Sequence, residues 1–175
     1  LRRAARVFKT DPMTDRVFDV DDLSATARLA AVLAASARPG DLLALWGDLG
    51  SGKTALARAL IRARTGDPDE EVPSPTFTLL QVYDGADGVP VFHYDLYRLE
   101  RPEDVWELDL EDALASGVTL IEWPERLGSL LPVDRLDVRL EEVAGDPSGP
   151  ARQITLSPRG AWTSRMKEID DHAAG

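Results

Sequence analysis

Gly47-Asp48-Leu49-Gly50-Ser51-Gly52-Lys53-Thr54 satisfies the pattern G-x-x-x-x-G-K-[ST] in full. The residue types suit one task. Glycines let successive backbone N–H groups turn inward around an anion, and a following helix adds the positive end of its dipole. Lys53 supplies a point charge for the β- and γ-phosphates of a nucleotide, and the Thr54 hydroxyl can take one position on an octahedral Mg²⁺. The plain alternative is a glycine-rich helix entry with no ligand. Adenine is expected over guanine, because the usual guanine reader is an Asn-Lys-x-Asp or Thr-Lys-x-Asp box. The chain has no asparagine and no such lysine.

A nucleotide held this way carries about four negative charges and needs Mg²⁺, commonly steadied by an acid at the end of a neighbouring buried strand. Val118-Thr119-Leu120-Ile121-Glu122 is the cleaner candidate, and Val91-Phe92-His93-Tyr94-Asp95 the second. Either acid could instead be an ordinary strand end in solvent. His93 reads first as a hydrogen-bonded core residue and second as a catalytic one. Arg98 could neutralise phosphate charge or pair with the acidic stretch beside it, and Trp46 and Trp123 read as packing before adenine stacking. Glutamine often orients the attacking water in such sites, yet only Gln81 and Gln153 occur. Slow hydrolysis by the isolated chain is therefore expected.

These residues need a frame. The apolar run Leu42-Leu43-Ala44-Leu45-Trp46 precedes the glycines, and Lys53 to Arg64 follows them with helical spacing at Leu56, Leu60 and Ile61. Strand, loop and helix open a βα unit. Upstream, Leu23 to Ala37 reads as an amphipathic helix, with Asp21 and Asp22 as capping candidates and Pro39-Gly40 as its stop. Downstream, Thr76 to Tyr83 and Val89 to Tyr97 read as an antiparallel pair, and Arg101 to Ser116 as one or two short acidic helices. Val118 to Trp123 reads as a buried strand, and Pro124 to Leu131 as a short helix begun by proline. Residues 135–142 and 151–156 alternate as a terminal hairpin around Gly145 to Pro150. The expected architecture is α/β, a P-loop NTPase-type three-layer fold with a mixed, mostly parallel central sheet and a C-terminal hairpin.

One such domain is expected over residues 13–160, after an extension at 1–12 ahead of Met13 and before a polar tail at 161–175, expected to fray from Met166. The 175 residues contain no cysteine, which excludes disulfides, thiolate metal sites and a cysteine nucleophile. No apolar run approaches the roughly 20 residues that span a bilayer, and a cytoplasmic address without membrane contact is the expectation. Twenty Lys+Arg against 31 Asp+Glu leave a net charge of −11. A protein that grips nucleic acid unaided shows a basic face, so any role on RNA would be indirect or need a basic partner.

Four motifs in register make the sequence similar to a known family. They are Gly47 to Thr54, Ser74-Pro75-Thr76-Phe77-Thr78-Leu79, His93-Tyr94-Asp95-Leu96-Tyr97-Arg98-Leu99 and Ile121-Glu122-Trp123-Pro124-Glu125-Arg126-Leu127. From about Leu23 to Leu156 the chain resembles the TsaE (formerly YjeE) family, bacterial ATPases of tRNA threonylcarbamoyladenosine biosynthesis. The resemblance implies ATP and Mg²⁺, and a role beside two partner proteins of actin-like fold that install the threonylcarbamoyl group on the adenosine next to the anticodon. It implies that the loop from Gly47 through Asp48, Leu49, Gly50, Ser51, Gly52, Lys53 and Thr54 to Ala55 binds the nucleotide, with Thr26 of the first helix nearby. By the same likeness, Thr54 and Glu122 serve the metal, Lys53, Asp95 and Glu122 serve catalysis, and Ser74 to Thr78 is a switch loop. Ser51 stands where alanine is usual, and Ala55 where a second hydroxyl is common. The acidic stretch Glu100 to Glu125 is the expected docking surface for a basic partner face. A small P-loop metabolite kinase and a nucleotide-gated module that never turns over are the competing expectations.

Overall fold

The computed structural model describes residues 14–143 and 151–174. The expected extension at 1–12 and the connection at 145–150 lie outside the described residues. Seven strands form one sheet: β1 (Arg16–Val20), β2 (Leu42–Trp46), β3 (Leu80–Asp84), β4 (Pro90–Asp95), β5 (Val118–Glu122), β6 (Arg135–Val143) and β7 (Ala151–Arg159), in the spatial order β1-β7-β6-β2-β5-β4-β3. The four central strands, β6, β2, β5 and β4, pair in parallel, whereas the β3–β4, β6–β7 and β7–β1 pairings are antiparallel. This is the mixed sheet and terminal hairpin that the sequence predicts.

Burial on both faces explains why β2 and β5 read as continuous apolar runs. Leu43 and Leu45 of β2 and Val118 and Leu120 of β5 face a core shared with α1 (Leu23–Ser36) and α2 (Lys53–Thr65). Leu42 and Ile121 point the other way, into a second core with Leu110 and Ala113 of α3 (Leu110–Ser116) and with Val105 and Leu127 of the 3₁₀ turns Pro102–Leu108 and Pro124–Leu130. The result is three layers. Asp22 caps α1, its carboxylate accepting from the Ala25 N–H at 2.7 Å. Gly66, in the left-handed region at φ 73°, closes α2.

Three segments depart from expectation. The edge strand β1 gave no signal, being five residues long with alternate positions open to solvent. The strand expected from Thr76 begins at Leu80, because Leu79 turns into the left-handed region at φ 64°. The expected frayed tail instead forms helix α4 (Met166–Ala174), preceded by a 3₁₀ turn. Trp162, Met166 and Ile169, at spacings of four and three, are buried in the first core. Ion pairs Arg16–Asp170, Arg38–Glu168 and Arg165–Asp41 hold the segment against β1 and the two ends of the α1–β2 connection. Three apolar side chains sufficed where composition read as polar. Among the described residues no helix is long and apolar enough to cross a membrane.

Candidate functional site

Parallel pairing sets the C-terminal ends of β2, β5 and β4 side by side. Leu45 lies opposite Glu122, and Glu122 opposite Asp95. In an open α/β sheet this edge is where ligands bind. A cleft of about 310 Å³ opens there, lined by Gly50, Lys53 and Thr54 from the loop and α2 and by Asp95, Glu122 and Trp123 from the strand ends.

The glycines of the loop are used for their backbones. Gly47, Gly50 and Gly52 have φ of 152°, 82° and 104°, and a Cβ at Gly47 would stand 2.7 Å from the Leu140 carbonyl oxygen. Gly52 opens α2 with no side-chain cap, so the first-turn N–H groups of that helix stay available to an anion. Lys53 is 4% exposed, and its Nζ donates to the carbonyl oxygens of Gly47 at 2.6 Å and Asp48 at 2.9 Å. An ammonium has three donors. Two brace the loop, and the third has no hydrogen-bond acceptor among the described residues. Burial pushes the Lys53 pKa below its ordinary value, against the opposing pull of Glu122, Glu125, Asp95 and Asp48.

Thr54 Oγ1 donates to Glu122 Oε2 at 2.9 Å, and His93 Nε2 lies 2.8 Å from Glu122 Oε1. Glu122 and His93 are 2% and 0% exposed. A hydroxyl and a carboxylate are hard oxygen donors of the kind Mg²⁺ takes alongside phosphate and water. No group of three or more acidic, histidine or cysteine side chains able to hold a metal occurs among the described residues, and a phosphate-borne ion does not require one. The residues present therefore fit a nucleotide-bound Mg²⁺.

Asp95 faces the same cleft but binds protein. Its Oδ2 accepts from Ser74 Oγ at 3.1 Å and Thr76 Oγ1 at 3.0 Å, and its Oδ1 from the Tyr97 N–H at 3.1 Å. The carboxylate thus clasps the segment that resembles a switch loop. Phe77 at the tip of that segment is 82% exposed and carries the Arg98 guanidinium 4.5 Å from its ring centre. Of the two roles considered for Arg98, pairing with the acidic stretch is replaced by this ring contact.

The indole of Trp123 lies with its ring centre 4.0 Å from Lys53 Nζ, a cation–π contact. Trp123 adopts φ 60° immediately before Pro124, and this left-handed turn lets the indole return over the site. Sequence reasoning treated Trp123 as packing and missed this contact; its place directly after the strand-end acid was the available signal. Trp46 does pack, its Nε1 donating to Asp137 Oδ1 at 2.8 Å.

The remaining candidates differ in how they stand to the cleft. Thr26 is outside the cleft lining, its hydroxyl donating to the Asp22 carbonyl oxygen at 3.2 Å. Ser51 Oγ is buried without a hydrogen-bond partner, and Ala55 lines the cleft without a hydroxyl. Neither Gln81 nor Gln153 lines the cleft. Residues 135–143 and 151–159, where a kinase would carry an arginine-bearing lid, are sheet strands.

The model of the family described as threonylcarbamoyl adenosine biosynthesis protein TsaE matches residues 20–154. The chain is 45% identical over 116 residues to a Rickettsia conorii protein named tRNA threonylcarbamoyladenosine biosynthesis protein TsaE, which covers 66% of this chain and 65% of that one. It is 39% identical over 149 residues to the Bacillus subtilis protein of the same name, covering 84% of this chain and 89% of that one. The crystal structure of Bacillus subtilis YdiB superposes with a TM-score of 0.71 at 29% identity, over 90% of this chain and 95% of that one.

Proposed function

Because the chain belongs to the TsaE family of threonylcarbamoyladenosine biosynthesis proteins, we propose that it is a Mg²⁺-dependent ATPase that drives or resets the machinery placing the threonylcarbamoyl group on tRNA. The observation that carries this reading is the arrangement at Lys53. Two of its protons tie the carbonyls of Gly47 and Asp48, the Trp123 ring lies over the ammonium, and the neighbouring Thr54 pairs with Glu122.

The loop amides and Lys53 hold the triphosphate of ATP, and Thr54 and Glu122 hold Mg²⁺. Phosphoryl transfer is mostly positioning and charge stabilisation, so these groups supply most of what the step needs. When bound, Mg²⁺ would neutralise charge developing on the phosphate oxygens. Asp95 keeps the segment from Ser74 to Thr76 over the cleft, and Trp123 covers Lys53 until phosphate arrives.

No glutamine lines the cleft to orient water, so turnover is slow until partners complete the site. Those partners are the two proteins of actin-like fold that act with this family, and tRNA is met through them. The face formed by Pro102–Leu108 and α3 exposes Glu103, Glu107, Glu111 and Asp112, and offers acidic charge to a basic partner surface. Partner binding unchanged when Glu103, Asp104 and Glu107 become Lys would exclude that face.

The test is phosphate release from ATP by the purified chain alone and with the two partners, for the unaltered protein and for Lys53→Ala. Slow release, accelerated by partners and lost in the variant, is expected. Rapid turnover alone, or equal release by the variant, would refute the assignment.

A further inference from the structure

His93 is conspicuous because it is wholly buried and its side chain makes no hydrogen bond except to Glu122. Its Nε2 lies 2.8 Å from Glu122 Oε1, while Nδ1 is buried without a partner. A carboxylate accepts, so the Nε2–H tautomer of the imidazole is the one that donates to Glu122.

Register makes the pairing possible. His93 and Asp95 sit two residues apart on β4 and therefore project from the same face. Parallel pairing puts Asp95 opposite Glu122 and His93 opposite Leu120. The imidazole thus reaches Glu122 from the sheet interior, as the Thr54 hydroxyl reaches it from α2.

We propose that His93 is a positioning residue: its Nε2–H holds Glu122 Oε1 so that Oε2 is presented to Thr54 and the phosphate-binding loop. A glutamate side chain has three rotatable bonds, and one tie to Thr54 would leave the carboxylate free to swing when that hydroxyl turns to another ligand. The second tie persists. This role rests on the ATP and Mg²⁺ reading above and adds to it the group that aims the acid. Outer-shell partners of this kind are worth about 10- to 100-fold in metal affinity.

The test is ATP affinity measured by calorimetry, with Mg²⁺ and with chelator, for the unaltered protein and for His93→Phe, His93→Asn and His93→Gln. Thermal midpoints are recorded for each. The glutamine amide nitrogen can stand where Nε2 stands, whereas asparagine stops short. Chelator affinities should agree within about twofold, while the gain on adding Mg²⁺ should fall about tenfold in the Phe and Asn variants and recover in Gln. If the Phe variant fails to fold, the Gln–Asn contrast still decides. An undiminished gain in every variant, or a Gln variant as impaired as Asn, would overturn the role for His93. An unaltered protein that binds no ATP, or gains nothing from Mg²⁺, would overturn the underlying ATPase reading and this inference with it.

Discussion

Thr54 Oγ1 and Glu122 Oε2 lie 2.9 Å apart, joining the first turn of α2 to the last residue of β5. With the other oxygen of Glu122 tied to His93, the acid has little freedom left before any ligand arrives. Fixing polar groups in advance is what a site dominated by charge stabilisation requires. The frame that fixes them is the parallel register of β2, β5 and β4.

Glu122→Ala should spare ATP binding measured in chelator and lower hydrolysis by at least about 100-fold, as losing a group that stabilises developing charge does. Filter binding and phosphate release measured on the same sample check both halves. Mg²⁺-dependent hydrolysis persisting in the variant would move the metal role elsewhere.

Lys53→Ala removes both carbonyl ties and, with them, the phosphate contact proposed for this ammonium. A hydrogen bond to a charged group is worth about 1.5–3 kcal/mol, so ATP affinity should fall by about 10- to 100-fold. Titration of a fluorescent ATP analogue would show it, and unchanged affinity would contradict the role.

Trp123 covers the ammonium proposed to receive the phosphate. Nucleotide binding should therefore alter tryptophan emission, and Trp123→Phe should abolish the change while leaving the other three tryptophans in place. An emission change that survives the substitution would place the reporter at another tryptophan.

Asp170 is held below the usual carboxylate range because the Arg16 guanidinium donates to it from Nε and Nη2. For an acid depressed on folding, the stabilisation is complete above its unfolded pKa of about 4 and is lost as pH falls through the lower folded value. The pair is partly exposed, so the loss should be under about 1 kcal/mol. Denaturation midpoints from pH 6 down to 2 should fall less steeply for Asp170→Asn; identical slopes would remove the pair from the acid response.

Much of the site was legible in the sequence because its parts are local. Gly47 to Thr54 is contiguous, and Asp95 and Glu122 each end an apolar run. What was not legible depends on register and turn geometry. The clasp of Ser74 and Thr76 on Asp95 needs the β3–β4 pairing and the turn at Leu79, and the cover of Lys53 by Trp123 needs a left-handed residue before a proline. The same holds for the fold. Continuous apolar runs announce β2 and β5, whereas β1 and α4 are stabilised by partners distant in sequence, β7 for one and α1 for the other.

The most direct measurement is a crystal structure with a non-hydrolysable ATP analogue and Mg²⁺. The account predicts the triphosphate inside the loop from Gly47 to Thr54, contacted by Lys53, with the metal at Thr54 and served by Glu122. A loop that stays empty at saturating analogue, or an analogue bound away from Lys53, would contradict it.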